Sequence, residues 1–575
     1  MTAISGDDGM ALLSILTKFH KYLYSILSVL AIFGVIETLL TRGFFFQEPE
    51  IIRSVTFVFY TVSIILYVIW ISAKVIISGR NLRELLPDLI LSIVLIGMVF
   101  PVRVGGILVS FRIFLSLIAV FSKRSGISDV LSQLRLNPAR LLLLSFLGVI
   151  LVGGALLMLP AATVDQQGAK FIDAFFTSTS ATCVTGLIVQ DTGSFFSLFG
   201  QIVILILIQV GGLGIMTFST LFAIILGRRI GLKQEEHIRG ILEQSSTVET
   251  YRLIKQVIRI TVIFELLGAT FLLLRWMPVQ GSHRAVYVAL FHSISAFCNA
   301  GFSLYTQSLV DYAGDFYVNM IFIILIICGG LGFVVMYDLM RNCHKYNPFS
   351  IRWSRLTVHT RLVLITTVLL LITGTLTVFF FEFDNTMIGL STGDKLLTAF
   401  FQSVTTRTAG FNTIDINNLK NVTLFIMILL MFIGASPSST GGGIKTTTFA
   451  VLILSVRSLI MSRDKVEIFN RTIPSETVYK SIAILLFSAT FLVILTMLLL
   501  ATQAGRFIDI MFEAVSAMGT VGLSTGMTGR LTSAGKLLIT ILMYVGRVGP
   551  LTVALALSEV RKVNIAYPAT RVSVG

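Results

Sequence analysis

The sequence predicts an all-α membrane protein in which four parallel repeats, each a helix, a re-entrant pore loop and a second helix, surround a pseudo-fourfold pore. A bundle of about four transmembrane helices is predicted to precede the repeats. Three observations lead to this fold class: an apolar composition, basic residues gathered in a few loops, and a motif that recurs four times along the chain.

The composition excludes a soluble globular protein. Of the 575 residues, 55% are hydrophobic and 13% are charged, and the mean hydropathy is +0.90. A soluble chain of this length could not bury so much apolar surface. Stretches such as Leu424 to Ile433 and Ile482 to Leu500 carry no charge, and most such stretches lie in runs of about 20 residues, the length that spans a bilayer.

Basic residues are concentrated in three loops, around residues 228–255, 341–361 and 457–480. The positive-inside rule places these loops in the cytoplasm, where they face anionic lipids. Two spans per repeat return the chain to its starting side, so both termini are expected in the cytoplasm and the protein in the inner (cytoplasmic) membrane. The net charge of the whole chain is +15, but basic loops that face the membrane surface are ordinary for a membrane protein, so no nucleic-acid partner is expected.

A motif recurs four times at a period of roughly 110 residues. Its anchors are Gly186, Gly301, Gly410 and Gly522, each followed directly by Leu or Phe and preceded by small hydroxyl residues. A phenylalanine lies at the same offset before each glycine, at Phe176, Phe291, Phe400 and Phe512.

Each copy consists of an apolar span, a segment too short to cross the membrane, and a second apolar span. The first spans are predicted over Pro138 to Leu159, Ile254 to Trp276, Leu362 to Phe381 and Ile482 to Ala501, and the second begin near Phe196, Phe316, Val422 and Lys536.

The short segments are typical of a pore helix followed by a filter strand. Non-helical backbone at membrane depth is tolerated where protein buries it or a water-filled cavity faces it. Four such strands around one axis would bring carbonyl oxygens together, and these can replace the water shell of a dehydrated cation. A single Ser/Thr/Gly-rich segment would be read as a helix-packing motif, but four copies in register indicate a pore for a small monovalent cation.

These motifs resemble those of the Trk/Ktr/HKT superfamily of potassium transporters, most closely its Ktr-type membrane subunits. The segments SATCVTGL, SISAFCNAGF, SVTTRTAGFNTIDI and AVSAMGTVGLSTG are similar to that family's four filter segments, and FIGASPSSTGGGIKTTT to its glycine-rich break. The likeness covers about Leu134 to Gly575. It implies potassium uptake, a homodimer, and a cytoplasmic ring of RCK-type regulatory subunits. Any regulatory nucleotide would bind that ring, and Na⁺ is a candidate activator.

The resemblance places K⁺ at a filter made by four groups of four residues, and no transition metal is expected. Cys298 departs from the polar residue, such as Asn, that we would expect there. The filter residues are Cys183, Val184, Thr185 and Gly186; Cys298, Asn299, Ala300 and Gly301; Arg407, Thr408, Ala409 and Gly410; and Gly519, Thr520, Val521 and Gly522.

A gate is predicted between Gly434 and Lys445, because a proline, four glycines and a serine cluster cannot stay helical. Arg547 is costly inside a membrane span and is expected beside this loop. The alternative is a passive kink with a snorkelling arginine. The predicted gate residues are Gly434, Ser436, Pro437, Ser438, Ser439, Thr440, Gly441, Gly442, Gly443, Lys445 and Arg547.

A second function class remains open at this point, a secondary symporter that uses Glu265 to couple another solute to Na⁺ or H⁺. Glu265 is expensive in its apolar span unless it is paired, and a structural hydrogen bond is the other interpretation. The glycines near Gly211 and Gly329 are interpreted as helix-packing positions. An enzyme is not expected, because no HExxH, GxSxG, Walker or dinucleotide motif occurs.

Five parts are therefore predicted. The N-terminal bundle faintly resembles a voltage sensor, but Arg112 alone is placed centrally, so a degenerate bundle that serves dimerisation or stability is preferred. Its spans are expected near Tyr22 to Leu40, Val55 to Ile77, Leu86 to Phe100 and Gly106 to Val120. The boundaries are 1–130 for the bundle, 131–230, 231–346 and 347–465 for repeats 1 to 3, and 466–575 for repeat 4 with the C-terminal tail.

Overall fold

The structure is a computed structural model, and it describes residues 22–30, 34, 58–67, 69–70, 138–225, 247–342 and 353–557. The chain divides into two compact units. The first comprises Met1–Arg135, Leu159–Gly168 and Phe222–Gly231, and in its described part Leu23, Leu27, Tyr67 and Trp70 form a small apolar cluster. The second comprises Leu136–Met158, Ala169–Leu221 and Leu232–Gly575.

The described part from Pro138 onward is built almost entirely of helices. A two-stranded antiparallel hairpin, β1 (Val466–Ile468) and β2 (Arg471–Ile473), pairs Val466 with Ile473. The helices are α1 (Pro138–Leu157), α2 (Phe171–Thr182), α3 (Leu198–Ile225), α4 (Thr247–Gln280), α5 (Ser282–Phe297), α6 (Phe316–Leu331), α7 (Phe333–Asn342), α8 (Val358–Glu382), α9 (Thr392–Thr405), α10 (Asn421–Phe432), α11 (Thr446–Ile460), α12 (Ser475–Thr502), α13 (Phe507–Gly519), α14 (Ser533–Val548) and α15 (Pro550–Leu557).

Single turns of 3₁₀ helix lie in the connections. They are Pro160–Ala162, Val310–Tyr312, Trp353–Arg355, Ile416–Asn418 and Thr528–Arg530.

Four short helices, α2, α5, α9 and α13, have 12 to 16 residues. Each follows a longer helix and packs against it, as α5 does against α4 and α9 against α8. Three of these pairs share a contact in which a serine of the short helix donates to a carbonyl of the long one. Ser178 donates to Ile150 at 2.7 Å, Ser293 to Glu265 at 2.6 Å and Ser403 to Leu371 at 2.7 Å.

Glycines make this close packing possible. A Cβ on Gly268 would lie 2.5 Å from Ser293 Oγ, and one on Gly153 would lie equally close to Ser178 Oγ. Each glycine lies three residues after the helix residue whose carbonyl the serine binds. Small residues therefore bring the short helices against the long ones.

Membrane-type helices are present, as the sequence predicts. By length and composition, Lys255–Gln280, Val358–Glu382 and Ser475–Thr502 can each cross a bilayer. Two bent pairs bring the total to as many as five among the described residues. Shorter apolar helices, including Leu142–Leu157 and Asn421–Phe432, lie at other predicted spans, so the total of about twelve spans stays a prediction.

Two of the second spans contain a bend that the sequence analysis does not predict. α6 and α7 meet at 100°, and α14 meets the helical residues Pro550–Ala556 at 93°. Gly332 and Gly549 form the bends with φ of +93° and +96°, a region that glycine adopts without a steric penalty. The glycine-rich stretch before Phe333 therefore breaks its helix, besides serving close packing.

Much of the predicted N-terminal bundle lies outside the described residues, including the third and fourth of its spans and Arg112. Residues 22–30 and 58–67 of the first two spans are helical. The basic stretch 228–246 and the tail after residue 557 also lie outside the described part.

Candidate functional site

The short helices end in four turns that meet in a ring. Turn 1 comprises residues 183–186, turn 2 residues 298–301, turn 3 residues 407–410 and turn 4 residues 519–522. The glycine that ends each turn lies against a carbonyl oxygen of the next turn, so that an added Cβ would collide with it or press closely on it. In order round the ring, the pairs are Gly186 with Ala300, Gly301 with Ala409, Gly410 with Val521 and Gly522 with Thr185.

The ring closes on itself, since turn 4 contacts turn 1 as the others contact their successors. The four carbonyls come from equivalent positions, one residue before each glycine. The glycines have φ between 72° and 91°, where a side chain would be strained as well as obstructed. Glycine is therefore required at these four positions for two independent reasons.

A second strained residue lies two positions before each glycine. The φ angles of Val184, Asn299, Thr408 and Thr520 are 56°, 59°, 69° and 51°. Three of these residues are β-branched, and such residues rarely adopt positive φ. Strain of this kind persists where the surrounding structure enforces it, and it is concentrated at functional sites.

The hydroxyl residues that crowd the motif hold the turns in shape. Ser180 Oγ accepts the amide of Gly186 at 3.1 Å, and Ser295 Oγ donates to the carbonyl of Phe302 at 2.7 Å. Both bonds tie the helix to backbone at or just past the glycine. The corresponding pairs in turns 4 and 3 are Ser516 with Gly522 and Thr405 with Phe411.

The four phenylalanines at the same offset before the glycines do not all occupy equivalent places in the structure. Phe176, Phe291 and Phe512 are fully buried, but in the third copy the fully buried residue is Phe401, and Phe400 is partly exposed. The third copy has one residue fewer between this phenylalanine and its glycine. In the third copy, a fixed offset from the glycine therefore selects Phe400 in place of its buried neighbour Phe401.

The side chains of two predicted filter residues face other elements. Cys298 Sγ lies 3.8 Å from Glu265 Oε1 and 3.7 Å from Gln209 Oε1. Arg407 is 8% exposed, and it lines a small cavity with residues of α6 and α8, including Ile326 and Thr367. The departure at Cys298 thus concerns contacts with neighbouring helices.

Glu265 lies in α4 beside turn 2, with only 6% of its surface exposed. One carboxylate oxygen accepts from Gln209 Nε2 at 3.3 Å and the other faces the Cys298 thiol. The residue is therefore paired with two polar side chains, which is the arrangement expected for a structural hydrogen bond.

The predicted gate lies directly against turns 3 and 4. The segment between α10 and α11, residues 433–445, is non-helical. Near its two ends, Ile433 and Ile444 form an isolated parallel β-bridge. We call residues 434–445 the glycine loop. The amide of Gly442 donates to Thr520 Oγ1 at 2.9 Å, and a Cβ on Gly441 would collide with Thr408 Oγ1.

Arg547 joins the glycine loop to α3. We call residues 131–230, 231–346, 347–465 and 466–575 the first, second, third and fourth segments, and α3 begins in the first. Its side chain is 2% exposed; one terminal nitrogen donates to the carbonyl of Thr440 in the loop and the other to the carbonyl of Gly211 in α3. Gly211 also packs against Thr182, where a side chain would collide with the carbonyl, in agreement with its predicted packing role.

The loop is bonded to the second segment as well. The carbonyls of Gly330 and Gly329 accept from the amides of Ser436 and Thr440 at 3.1 and 3.3 Å. The carbonyl of Ser438 accepts from the amide of Phe333, which begins α7, at 2.9 Å. The sequence analysis predicted no partner for the carbonyls of Gly329 and Gly330. The run of glycines at the end of α6 is the feature of the sequence that could have indicated this contact.

The remaining predicted gate residues stabilise the loop itself. Lys445 Nζ donates to the carbonyl of Gly441 at 2.8 Å, and Ser439 Oγ to that of Ser436 at 2.7 Å. Elsewhere, the carbonyl of Pro437 faces Gly332, and Gly434 packs against Gly442 and Gly443.

A family model described as TrkH, cation transport protein, matches residues 107–563. Ktr system potassium uptake protein B of Bacillus subtilis is 41% identical over 448 residues, which are 78% of this chain and 98% of that protein. The protein of the same name from Vibrio alginolyticus is 42% identical over 438 residues, 76% of this chain and 94% of that one.

Potassium/sodium uptake protein NtpJ of Enterococcus hirae is 34% identical and is matched over 98% of its length by 77% of this chain. Among solved structures, the potassium transporter TrkH from Vibrio parahaemolyticus superimposes with a TM-score of 0.59 at 18% identity, over 93% of this chain and 98% of that one. This likeness shows the fold.

Proposed function

Because the chain belongs to the TrkH family of cation transport proteins, we propose that it takes up K⁺ across the cytoplasmic membrane. The names of the two Ktr relatives describe potassium uptake, and both are more than 40% identical to this chain. The ion path runs through the ring formed by turns 1 to 4, which is the selectivity filter.

The closed ring of equivalent carbonyls carries this proposal. Thr185, Ala300, Ala409 and Val521 each present a carbonyl beside a glycine of the neighbouring turn. Four oxygens from equivalent positions can replace the hydration shell of a dehydrated monovalent cation. The selectivity comes from main-chain oxygens, which is consistent with the outward contacts of Cys298 and Arg407.

The four segments form parallel repeats with the boundaries given above, and the turns enter from the outer side. The three basic loops and both termini are cytoplasmic. The N-terminal bundle, residues 1–130, serves dimerisation or stability.

The glycine loop is the gate of this pore. It lies against Thr408 and Thr520, the strained residues of turns 3 and 4, and is bonded to helices of the second and fourth segments. Arg547, which binds the loop, also binds α3 of the first segment. A cation that leaves the filter meets this loop and the guanidinium of Arg547. The positive charge repels the ion, and loop movement requires loss of the Arg547 bond to Thr440.

The protein works as a homodimer with a cytoplasmic ring of RCK-type subunits, which bind the regulatory nucleotide, and Na⁺ acts as an activator. The description of two relatives as parts of a Ktr system supports a multi-component assembly. Affinity purification from the native membrane, under conditions that preserve other complexes, should recover a soluble nucleotide-binding subunit. A purified chain that never brings one down contradicts this part of the proposal.

The test of transport is ⁸⁶Rb⁺ uptake into vesicles that contain the purified protein. We expect uptake that K⁺ inhibits by competition and that organic solutes leave unchanged. Gly186→Ser should weaken the preference for K⁺ over Na⁺, whereas Gly148→Ser, at an exposed position of α1 with open space around it, should behave like the wild type. Uptake of an organic solute coupled to Na⁺ or H⁺ would favour the symporter instead.

A further inference from the structure

The residue that follows the buried phenylalanine in each short helix is polar, and its identity differs in all four. These residues follow Phe176, Phe291, Phe401 and Phe512 and lie on the same face of their helices. Each is buried, and three of them are hydrogen-bonded to the chain that leaves the turn. We call them the clamp residues, and in chain order they are Thr177, His292, Gln402 and Glu513.

Glu513 binds the chain that leaves turn 4 at two points. One carboxylate oxygen accepts from the hydroxyl of Ser524, and the other accepts from Thr528 Oγ1 at 2.8 Å. Ser524 lies two residues after Gly522, and its own hydroxyl accepts the amide of Gly526 at 2.9 Å. A carboxylate that accepts hydroxyl bonds on both oxygens forms stronger bonds than a neutral acceptor.

His292 binds the chain that leaves turn 2 in the same way. Its Nε2 accepts the amide of Leu304 at 3.3 Å and lies 3.1 Å from Ser303 Oγ. Because Nε2 accepts an amide, the ring proton belongs on Nδ1, which lies 2.8 Å from the carbonyl of Val288. The imidazole also stacks on Tyr305, with ring centroids 5.0 Å apart.

Of the other two clamp positions, one binds its outgoing chain weakly and the other makes no hydrogen bond to it. Gln402 Nε2 reaches Thr413 Oγ1 at 3.4 Å, near the limit of a hydrogen bond. Thr177 Oγ1 has no hydrogen-bond partner in the part of the chain that the structure describes, and Ile188, two residues after Gly186, has no side-chain hydroxyl to offer. The four turns therefore have equivalent backbones but unequal support.

We propose that Glu513 and His292 are positioning residues that hold the outer ends of turns 4 and 2 and thereby set the spacing of the ring carbonyls. This inference rests on the proposed function of the ring. Round the ring, turn 2 lies between turns 1 and 3, and turn 4 lies between turns 3 and 1. Turns 2 and 4, whose clamp residues bind the outgoing chain, therefore confine turns 1 and 3, whose clamp residues bind it weakly or not at all.

The spacing acts on ion choice in a direct way. A ring that discriminates K⁺ from Na⁺ depends on the position and mobility of its carbonyl dipoles. When an outgoing chain loses its clamp, the carbonyl beside the glycine gains freedom to follow a smaller ion. The preference for K⁺ should fall while transport continues.

The test compares Glu513→Leu with Glu513→Gln and Thr177→Val in vesicles, measuring ⁸⁶Rb⁺ uptake with K⁺ or Na⁺ as competitor. We expect Glu513→Leu to lower the K⁺-over-Na⁺ preference about tenfold, equivalent to about 1.4 kcal/mol. Glu513→Gln should restore most of the preference, because its amide can still bond both hydroxyls. Thr177→Val, at the equivalent position of α2, should leave the preference unchanged.

A second variant removes the hydroxyl hydrogen-bond donors to Glu513 and leaves Glu513 itself unchanged. Ser524→Ala with Thr528→Val removes both hydroxyl donors and leaves α13 intact, so it decides the question if Glu513→Leu does not fold. We expect the same loss of preference. Wild-type protein that carries no rubidium overturns the proposed function and this inference with it. If the wild type carries rubidium, and folded Glu513→Leu or the double variant keeps the wild-type preference for K⁺ over Na⁺, the positioning role alone is overturned.

Discussion

Lys536 Nζ lies 2.6 Å from Asp173 Oδ1, and this ion pair joins the fourth segment to the first. Asp173 is in the first turn of α2 and Lys536 in α14, 363 residues later. Both side chains are largely buried, with 10% and 16% of their surface exposed. The ring of turns is thus closed by backbone packing and fastened by a charged pair between α2 and α14.

Loss of this pair should reduce stability. We expect Asp173→Asn to lower the free energy of unfolding by about 2 kcal/mol, because a largely buried charged hydrogen bond is broken and Lys536 loses its partner. The measurement is thermal unfolding in detergent. Asp509→Asn is a matched control, since Asp509 occupies the same place in α13 but pairs with Arg506, whose side chain is 65% exposed.

The control should lose no more than about 0.5 kcal/mol, as is typical of exposed ion pairs. Equal losses in the two variants would show that the Asp173 pair is not what fastens the first segment to the fourth.

Replacement of the ring glycines should reduce discrimination between K⁺ and Na⁺. In Gly186→Ser and Gly410→Ser, the new Cβ would collide with the carbonyls of Ala300 and Val521 and would occupy positive φ. We expect at least about a tenfold loss of preference, because displacement of one carbonyl alters a ring of four. Competition of Na⁺ with ⁸⁶Rb⁺ uptake measures it, and unchanged preference in both variants removes the filter assignment.

Arg547→Ala should raise the rate of transport and loosen its dependence on the regulatory subunit. The substitution removes a positive charge from the exit of the filter and frees the carbonyls of Thr440 and Gly211. Loss of about 1.5 kcal/mol from the closed state would shift the ratio of closed to open pores about tenfold. Selectivity should survive, since the ring is unchanged.

Deletion of Gly441 and Gly442 should act in the same direction, and Arg530→Ala, at an exposed arginine, should have no effect. The gating role is refuted if Arg547→Ala and the deletion both keep the wild-type rate and regulation in folded, inserted protein.

Glu265→Gln should leave transport within about twofold of the wild type. The amide can still accept from Gln209, so the pairing beside turn 2 is retained without charge. A symporter that couples through this carboxylate would instead lose its dependence on Na⁺ or H⁺. Uptake measured with and without an imposed gradient of each ion separates the two outcomes.

Removal of residues 1–130 should leave ⁸⁶Rb⁺ uptake measurable, with lower stability in detergent. The ring and the glycine loop lie wholly downstream, and 78% of this chain suffices to match 98% of the Bacillus subtilis relative. A truncated protein that folds and inserts but carries no rubidium would make the N-terminal bundle part of the transport mechanism.

Much of the architecture from Pro138 onward follows from the sequence. Apolar length predicts the long helices closely: the predicted span Leu362 to Phe381 lies inside Val358–Glu382, and Ile482 to Ala501 inside Ser475–Thr502. Recurrence of a glycine after hydroxyl residues identifies the four turns. Both signals are local, because span length and turn conformation depend on residues close together in the chain.

The sequence was less informative where one segment meets another. The fixed offset from the glycine selected Phe400 because it took no account of the residue that is missing in the third copy. At Gly332 and Gly549 a glycine in an apolar stretch indicates close helix packing as readily as it indicates a bend. The partners of Glu265, Cys298 and the clamp residues lie in different helices or beyond the turns, so no spacing along the chain predicts them.

By itself, the sequence determined a membrane protein of the Trk/Ktr type with four glycine turns and a broken helix in the third copy. Only the tertiary structure decided that the turns close into a ring, that Arg547 joins the glycine loop to α3, and that the four turns are unequally held. The physical reason is that apolar character and turn conformation depend on the residue types at neighbouring positions in the chain. Hydrogen bonds between segments depend on how the helices pack.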